Sequence, residues 1–402
     1  MRCGVLHRWL GLLLTAAILY GGVPALASEG VVTSPAPPPR PIGAPLPLAP
    51  GAPGPLVLPA PPSAPAAAAQ PAAPSDDARI SHVALLLPLK STAFGQHAEA
   101  VRNGFLAAAK VQGRVALPLR IYETGDDVQQ VVAGYRQALA AGATVVVGPL
   151  TRSGVTAIVE AEPVPVPTLA LNVPEGRATA PRNFYMLSLQ AEAEARQVAQ
   201  LAHQEGGRSV LTVSGDTPLM RRIHQAFVEE FTRLGGKLAA EIPFASDPAG
   251  LNRIKQVAGL GTADMAFLAL DFQRARLARP YLEPLAIFAT SQVHPGNVGP
   301  LAAFDLARVR FLDMPWLLQP DHTAVMVYPR QDYRDVVELD RFYALGIDAF
   351  RVANELLAGR LEIILDGVTG RLTLGPDQSF ARMLTAAQFR EGKLAVTGEP
   401  RR

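Results

Sequence analysis

Cysteine is almost absent from the 402 residues; Cys3 is the single one. A disulfide framework is therefore excluded, and the fold has to rest on its core. Aromatic residues are scarce at 6%, which argues against a surface that stacks on bases. An excess of one charge is also missing. Lys and Arg total 37 against 35 Asp and Glu, a net +2, with no basic tract of the kind that nucleic-acid binding uses. The seven histidines are scattered and none has metal-ligand spacing. His-Glu-x-x-His, Gly-x-Ser-x-Gly, Ser-x-x-Lys and Gly-Lys-Ser/Thr patterns do not occur, so zinc hydrolysis, the nucleophile elbow, the penicillin-binding transpeptidase serine and a Walker loop are not expected. No catalytic residue, cofactor or metal is expected.

What is present begins with an export signal. Arg2 and Arg8 precede the apolar run Leu10–Tyr20, and Ala25-Leu26-Ala27 is a small-x-small cleavage site. This order predicts a secretory signal peptide over 1–27, cleaved after Ala27, and a periplasmic product with no transmembrane segment once cleaved. The same run would also serve an uncleaved inner-membrane anchor. Cys3 lies before the apolar run, whereas a lipoprotein cysteine follows it, so no lipid anchor is expected. Residues 28–78 are dominated by Pro and Ala. Proline fixes φ and removes the amide donor, which predicts an extended tether without sheet or helix.

From Ile80 the texture changes to short apolar runs alternating with helical periods. "HVALLLPL", "LPLRIYET", "TVVVGPL", "PTLALN" and "FYMLSL" read as strands, with helices between most of them. The pattern restarts at "QAEAEARQVAQLAHQEGG" and runs through "SVLTVSGD", "GKLAAEIPF", "ADMAFLAL" and "LAIFATS". Such alternation implies parallel strands with right-handed crossovers. The expected architecture is α/β: a two-lobed type I periplasmic binding protein fold over 79–402. Lobe 1 is expected at about 79–189 plus 317–360, and lobe 2 at about 190–316 plus 361–402. "GVTGRLTLGPDQ" reads as a hairpin, and hinges are expected near Leu189-Gln190 and Met314 to Trp316.

Ligands of open α/β sheets lie beyond the carboxyl ends of the strands. That rule selects Ser91, Thr92, Thr151, Ser153 and Asn172 as cleft candidates for a small anionic ligand, with Ser291 and Asp313 as further cleft candidates. Hydroxyls in these places are equally suited to plain helix capping. A receptor for free amino acids also needs a carboxylate for the ammonium, for which Asp216, Asp271 and Asp313 are the candidates. Asp313 beside Met314-Pro315 also suits a hydrogen-bonding anchor at the hinge, and Trp316 suits the core.

The ordered stretches "ALLLPL", "NGFLAA", "VVGPL", "PTLALN", "FYMLSLQAEAEARQVA", "ARLARPYL", "FATSQVHPG", "DLARVRFLDMPWLL", "RFYALGIDAFRVANEL", "GVTGRLTL" and "AQFREGKL" resemble the penicillin-binding protein activator family, also called the LppC or LpoA family. The resemblance runs from about Ile80 to about Leu394. It implies a periplasmic-binding-protein-like module that binds a bifunctional penicillin-binding protein and stimulates peptidoglycan synthesis from the periplasmic side, with outer-membrane association. Two features depart from the family pattern. No lipobox cysteine follows the apolar run, and the tether stands where longer members carry a helical-repeat domain. The rival expectation is a periplasmic solute receptor that hands an amino acid to an ABC transporter.

Overall fold

Every residue of the strand His82–Leu87 (β1) is buried, as expected for a central parallel strand with helices on both faces. A computed structural model describes residues 80–398 apart from 114–116, 177–178, 298 and 335. The signal peptide, Cys3 and the tether fall outside the described residues. In the first lobe β1 is followed by α1 (Gly95–Gln112), β2 (Leu119–Glu123), α2 (Val128–Ala140), β3 (Ala143–Val147), α3 (Arg152–Ala161), β4 (Thr168–Ala170) and β5 (Phe184–Met186). The five strands are parallel in the order β2-β1-β3-β4-β5.

The chain crosses at Leu187–Gln190 into a second lobe. There α4 (Ala191–Gln204), β6 (Ser209–Ser214), α5 (Pro218–Arg233), β7 (Lys237–Pro243), α6 (Pro248–Ala258), β8 (Met265–Ala269), α7 (Phe272–Ala278), β9 (Ala286–Ala289), α8 (Pro300–Asp305) and β10 (Val309–Asp313) follow one another. It then returns through the short α9 (Pro315–Leu318) and the long α10 (Val337–Leu357), and forms a small sheet from β11 (Ile364–Asp366), β12 (Arg371–Leu374) and β13 (Phe380–Met383). The last strands, β14 (Thr385–Arg390) and β15 (Lys393–Gly398), join the second lobe's sheet antiparallel beside β10, in the order β15-β14-β10-β9-β8-β6-β7.

Local chemistry accounts for the helix starts. Side chains of Asp127, Thr151, Thr217, Asp247 and Asp271 accept amide hydrogens of the first turns of α2, α3, α5, α6 and α7, satisfying donors that no helical carbonyl can reach. Each large sheet is packed on both faces. One cluster joins Leu85, Phe105, Val147, Trp316, Tyr343 and Phe350 on the α1/α10 side of the first sheet. The opposite face packs Ala84, Tyr135, Val146 and Ile158. In the second lobe Phe227, Phe267 and Phe288 lie under α4 and α5, while Leu211, Leu268, Phe311 and Phe389 lie on the other side.

Helices α1 and α10 meet backbone to backbone. A Cβ on Gly104 would overlap the Tyr343 carbonyl oxygen, and one on Gly346 would overlap that of Val101. Glycine is required at both positions for this close approach.

The expected switch of lobes at residue 361 is corrected to Leu384. Ile363, Val368, Leu372 and Phe380 pack in the same cluster as the first-lobe core, and the second lobe's sheet is rejoined only at Thr385. The earlier return likewise begins at Met314 rather than 317, since Met314 and Trp316 already sit in the first-lobe cluster. Among the described residues, no helix is long and apolar enough to cross a membrane.

Candidate functional site

The residues selected from sequence do not gather around one ligand. Ser91 and Thr92 close on Asp126, which lies in the loop between β2 and α2. The Ser91 hydroxyl donates to one carboxylate oxygen, and the Thr92 amide and hydroxyl donate to the other at 3.1 Å each. The Ser91 bond first, then the Thr92 amide, holds the Asp126 carboxyl below its usual range. Thr151 accepts the Gly154 amide at 3.2 Å as the cap of α3. Ser153 is exposed on the first turn of the same helix. Asn172 donates to the Leu150 carbonyl at 3.0 Å and accepts the Val173 amide at 3.0 Å, which fixes the loop after β3 to the loop after β4. Asp271 caps α7 and pairs with Arg274 at 2.7 Å. Asp216 is exposed, with Arg274 at 3.7 Å.

Ser291 and Asp313 enter a different assembly, a buried charged cluster where the three crossovers run side by side. Asp313 ends β10 and is 2% exposed. It accepts His294 Nδ1 at 2.8 Å, Arg341 Nη2 at 2.8 Å and the Met314 amide at 2.8 Å. Arg341, from α10 of the first lobe, also donates to the carbonyls of Ser291 and His294 at 3.3 and 3.2 Å, and to Glu338 at 3.0 Å. Glu194, in the first turn of α4, accepts the amide of Ser291 and its hydroxyl, the latter at 3.1 Å. Arg382, at the third crossover, donates to the Ser188 carbonyl of the first crossover at 2.8 Å and to the Thr369 carbonyl at 3.0 Å. A cavity of about 110 Å³ lies among these side chains.

Charge decides what this cluster does. Burial pushes the Asp313 carboxyl up, but the Arg341 guanidinium and then His294 outweigh it and hold the carboxyl below its ordinary value. Burial likewise opposes the Arg341 charge, and the Asp313 and Glu338 carboxylates more than offset it, so the guanidinium stays protonated. Glu194 has no guanidinium in hydrogen-bond contact. Burial, and after it the negative charge of Asp313, pushes it up to about 7 from an ordinary 4.5. The Ser291 amide, Arg341 and Arg382 pull the other way and do not cancel it.

A carboxyl raised on folding binds its proton more tightly in the native state, so its contribution is complete below its unfolded value and is lost as pH rises through the folded one. The window is therefore about pH 4.5 to 7. Glu194→Gln is expected to melt close to wild type at the acid end of this window and above it at pH 8. Thermal unfolding across pH checks this, and an unchanged slope in the variant would sink the assignment.

Sequence reasoning anticipated Asp313 as a hinge anchor and missed Glu194, His294, Arg341 and Arg382. A signal existed for two of them. Glu194 shares the buried face of α4 with Val198, Leu201 and Ala202, and a carboxylate at that helical spacing among apolar residues is out of pattern. Arg341 and Asp348 are two turns apart on the buried side of α10. Asp348 is fully buried and accepts the Val368 amide at 3.0 Å, the Thr369 amide at 2.8 Å and the Thr369 hydroxyl at 2.7 Å. It thereby shapes the Gly367–Gly370 turn between β11 and β12. The Val368 carbonyl in turn accepts the Trp316 amide at 2.9 Å.

Comparison with known proteins places this geometry among relatives. Residues 59–271 and 261–392 match the family model described as "LppC putative lipoprotein". A Pectobacterium parmentieri protein named penicillin-binding protein activator LpoA is 26% identical over 328 residues, 69% of this chain and 48% of its own length. A Klebsiella pneumoniae protein of the same name is 26% identical over 69% of this chain and 44% of its own. The chain thus spans about half the length of the curated relatives it matches. Among solved structures, a Chromobacterium violaceum protein described as a "putative branched-chain amino acid ABC transporter" is 38% identical, with a TM-score of 0.66 over 77% of this chain and 100% of that one. The C-domain of Haemophilus influenzae LpoA, described as a regulator of PBP1A, has a TM-score of 0.67 at 23% identity over 79% of this chain and 99% of that one, a likeness of fold. Two lobes of α/β structure joined by three crossovers make the type I periplasmic binding protein fold, as the strand pattern implied.

Proposed function

The chain belongs to the LppC family, and on that premise we propose that it is a non-catalytic periplasmic regulator that binds a bifunctional penicillin-binding protein and activates its peptidoglycan synthesis. The names of the curated relatives support the partner and the direction of the effect. A regulator of this kind acts by binding one conformation of the synthase better than another, since a partner shifts an equilibrium only by its preference. The export signal of residues 1–27 supports the compartment.

The observation that carries the reading against a solute receptor is the state of the polar groups at the strand ends. A receptor offers a carboxylate to an ammonium, and hydroxyls and amides to a carboxylate. Here Asp313 is already closed by His294 and Arg341, Asp271 by Arg274 and its own helix, and Ser291 by Glu194. Thr151 and Asn172 are likewise engaged within the chain.

The receptor reading has the name of the Chromobacterium violaceum protein behind it, and one experiment separates the two. A ligand at a hundredfold excess over Kd stabilises its receptor by about 2.7 kcal/mol, an easily seen thermal shift. The expected result is no saturable shift with a panel of amino acids, and measurable binding to the periplasmic part of a bifunctional penicillin-binding protein. Thr151→Ala is expected to cost about 1 kcal/mol of stability as a lost cap and to leave partner binding intact. A saturable shift with one amino acid that Thr151→Ala abolishes would turn the reading to a receptor.

A further inference from the structure

Beside the crossovers, on the edge of the first lobe where β5 ends, lies a groove of about 710 Å³ that the charged cluster does not use. One wall is α4 of the second lobe, which presents Ala193, Gln197, Gln200 and Gln204 along its length. These positions fall at i, i+4, i+7 and i+11, a continuous stripe of about 16 Å. The other wall is one face of the β12–β13 hairpin, with alternate residues 371, 373 and 375 from one arm and 379, 381 and 383 from the other. That hairpin packs with the first lobe through Leu372 and Phe380, so the groove is walled by both lobes.

Its chemistry is uneven. Three guanidiniums line it, from Arg196, Arg371 and Arg382, against the single carboxylate of Asp377. Among the described residues no ion pair engages any of the three. Arg382 is held by backbone carbonyls at the groove's inner end. Arg196 and Arg371 are exposed, and no hydrogen bond among the described residues ties down either guanidinium. The Gln197 carboxamide donates to the Arg382 carbonyl at 2.7 Å and accepts from the Leu384 amide at 3.1 Å. These are the backbone groups that an added strand would use, so an occupant is read by side chains rather than by strand addition.

We propose that this groove receives an extended, carboxylate-bearing segment of the partner synthase, with Arg196 on one lobe and Arg371 on the other as its charge-reading residues. This rests on the regulator reading above. A stripe of about 16 Å matches roughly five residues of extended chain, the Gln204 carboxamide and the carboxamide oxygen of Gln200, whose nitrogen donates to Glu230, suit its peptide groups, and guanidiniums suit carboxylates by two-point hydrogen bonding. An occupant that touches both walls also fixes the angle between the lobes.

The test is the Arg196→Glu/Arg371→Glu double variant of the full chain, titrated against the periplasmic part of a bifunctional penicillin-binding protein at low and high salt. Binding is expected to weaken roughly tenfold or more, mainly in association rate, with the salt dependence reduced. Arg253→Glu/Lys255→Glu, on exposed α6 positions, makes the same change in net charge elsewhere and is expected to bind as wild type. Arg196→Gln/Arg371→Gln serves if charge reversal impairs folding. Wild-type affinity in the groove variants, or an equal loss in the α6 variant, overturns the groove and leaves the regulator reading standing. If the wild-type chain binds no synthase, the regulator reading fails, and the groove is judged on a synthetic hexaglutamate peptide. Binding of that peptide that the groove variants abolish keeps it as an acidic-peptide site, and no binding removes it.

Discussion

Arg341→Met is expected to lower the stability of the folded chain by about 3–5 kcal/mol, because it leaves a buried carboxylate without its countercharge. Asp313 is 2% exposed, and Arg341 at 2.8 Å is its guanidinium partner. The same side chain satisfies two buried carbonyls in the loop after β9, which lose their donor as well. Asp313→Leu combined with Arg341→Met removes both charges together and is expected to recover a large part of the loss, since matched apolar replacement of a buried pair is often close to neutral. Denaturant unfolding of the three chains measures both quantities. A loss below about 1 kcal/mol for Arg341→Met, the range of exposed pairs, would mean that the cluster does not hold the lobes.

Asp348→Ala is expected to be comparably severe for a different reason. It strips the acceptor from three buried donors in the Gly367–Gly370 turn, and each orphaned donor costs about 1–3 kcal/mol. Water cannot easily take the place of the carboxylate, since Val368 and Thr369 are both fully buried. The turn is also tight. A Cβ at Gly367 would lie 2.6 Å from Asp348 Oδ2, and Gly370 has a φ of +132°, reserved for glycine. Because the Val368 carbonyl holds the Trp316 amide, the damage should reach the tryptophan. Emission of Trp316, recorded in a Trp9→Phe background, is expected to shift to the red in Asp348→Ala, while Asp348→Asn, which keeps one acceptor oxygen, falls between. An Asp348→Ala chain with wild-type melting and emission would contradict this role.

Much of the architecture was legible because it is written in local periods. Runs such as Val83–Leu87 and Val145–Val147 are apolar at consecutive positions, the mark of strands covered on both faces. The crossovers at Leu189-Gln190 and Met314–Trp316 also showed, each as a strand end running into a helix start. The third did not. Only Leu384 separates β13 from β14, so one extended stretch serves two sheets, and nothing in its alternation of residues marks the change.

The site was legible in part. Thr151 and Asn172 were readable as strand-end or capping residues, which is what their hydrogen bonds make them. Asp313 could be recognised beside Met314-Pro315. Its partners come from other parts of the chain, His294 from the loop after β9 and Arg341 from α10, and no spacing in sequence announces a meeting that only the fold creates. Glu194 and Arg382 are in the same position.

The close fit of α1 against α10 bears on the order in which the molecule can be completed. Gly104 and the strands of the first sheet are made early, whereas Gly346 arrives only after the whole of α4 to β10 has been threaded. Until Val337–Leu357 emerges, the α1 side of that sheet has only α1 and the Met314–Tyr328 segment over it, and the places of Tyr343, Ile347 and Phe350 in its core are unfilled. Domains ordinarily mature from the N-terminus as they are delivered. Here the inserted second lobe already has its five parallel strands β6 to β10, and lacks the β14–β15 edge with its core residues Ala387 and Phe389. A chain ending before α10 would leave Leu85, Phe105 and Val147 short of their apolar cover, so the first-lobe core is completed only by a segment far along the sequence from the strands it covers.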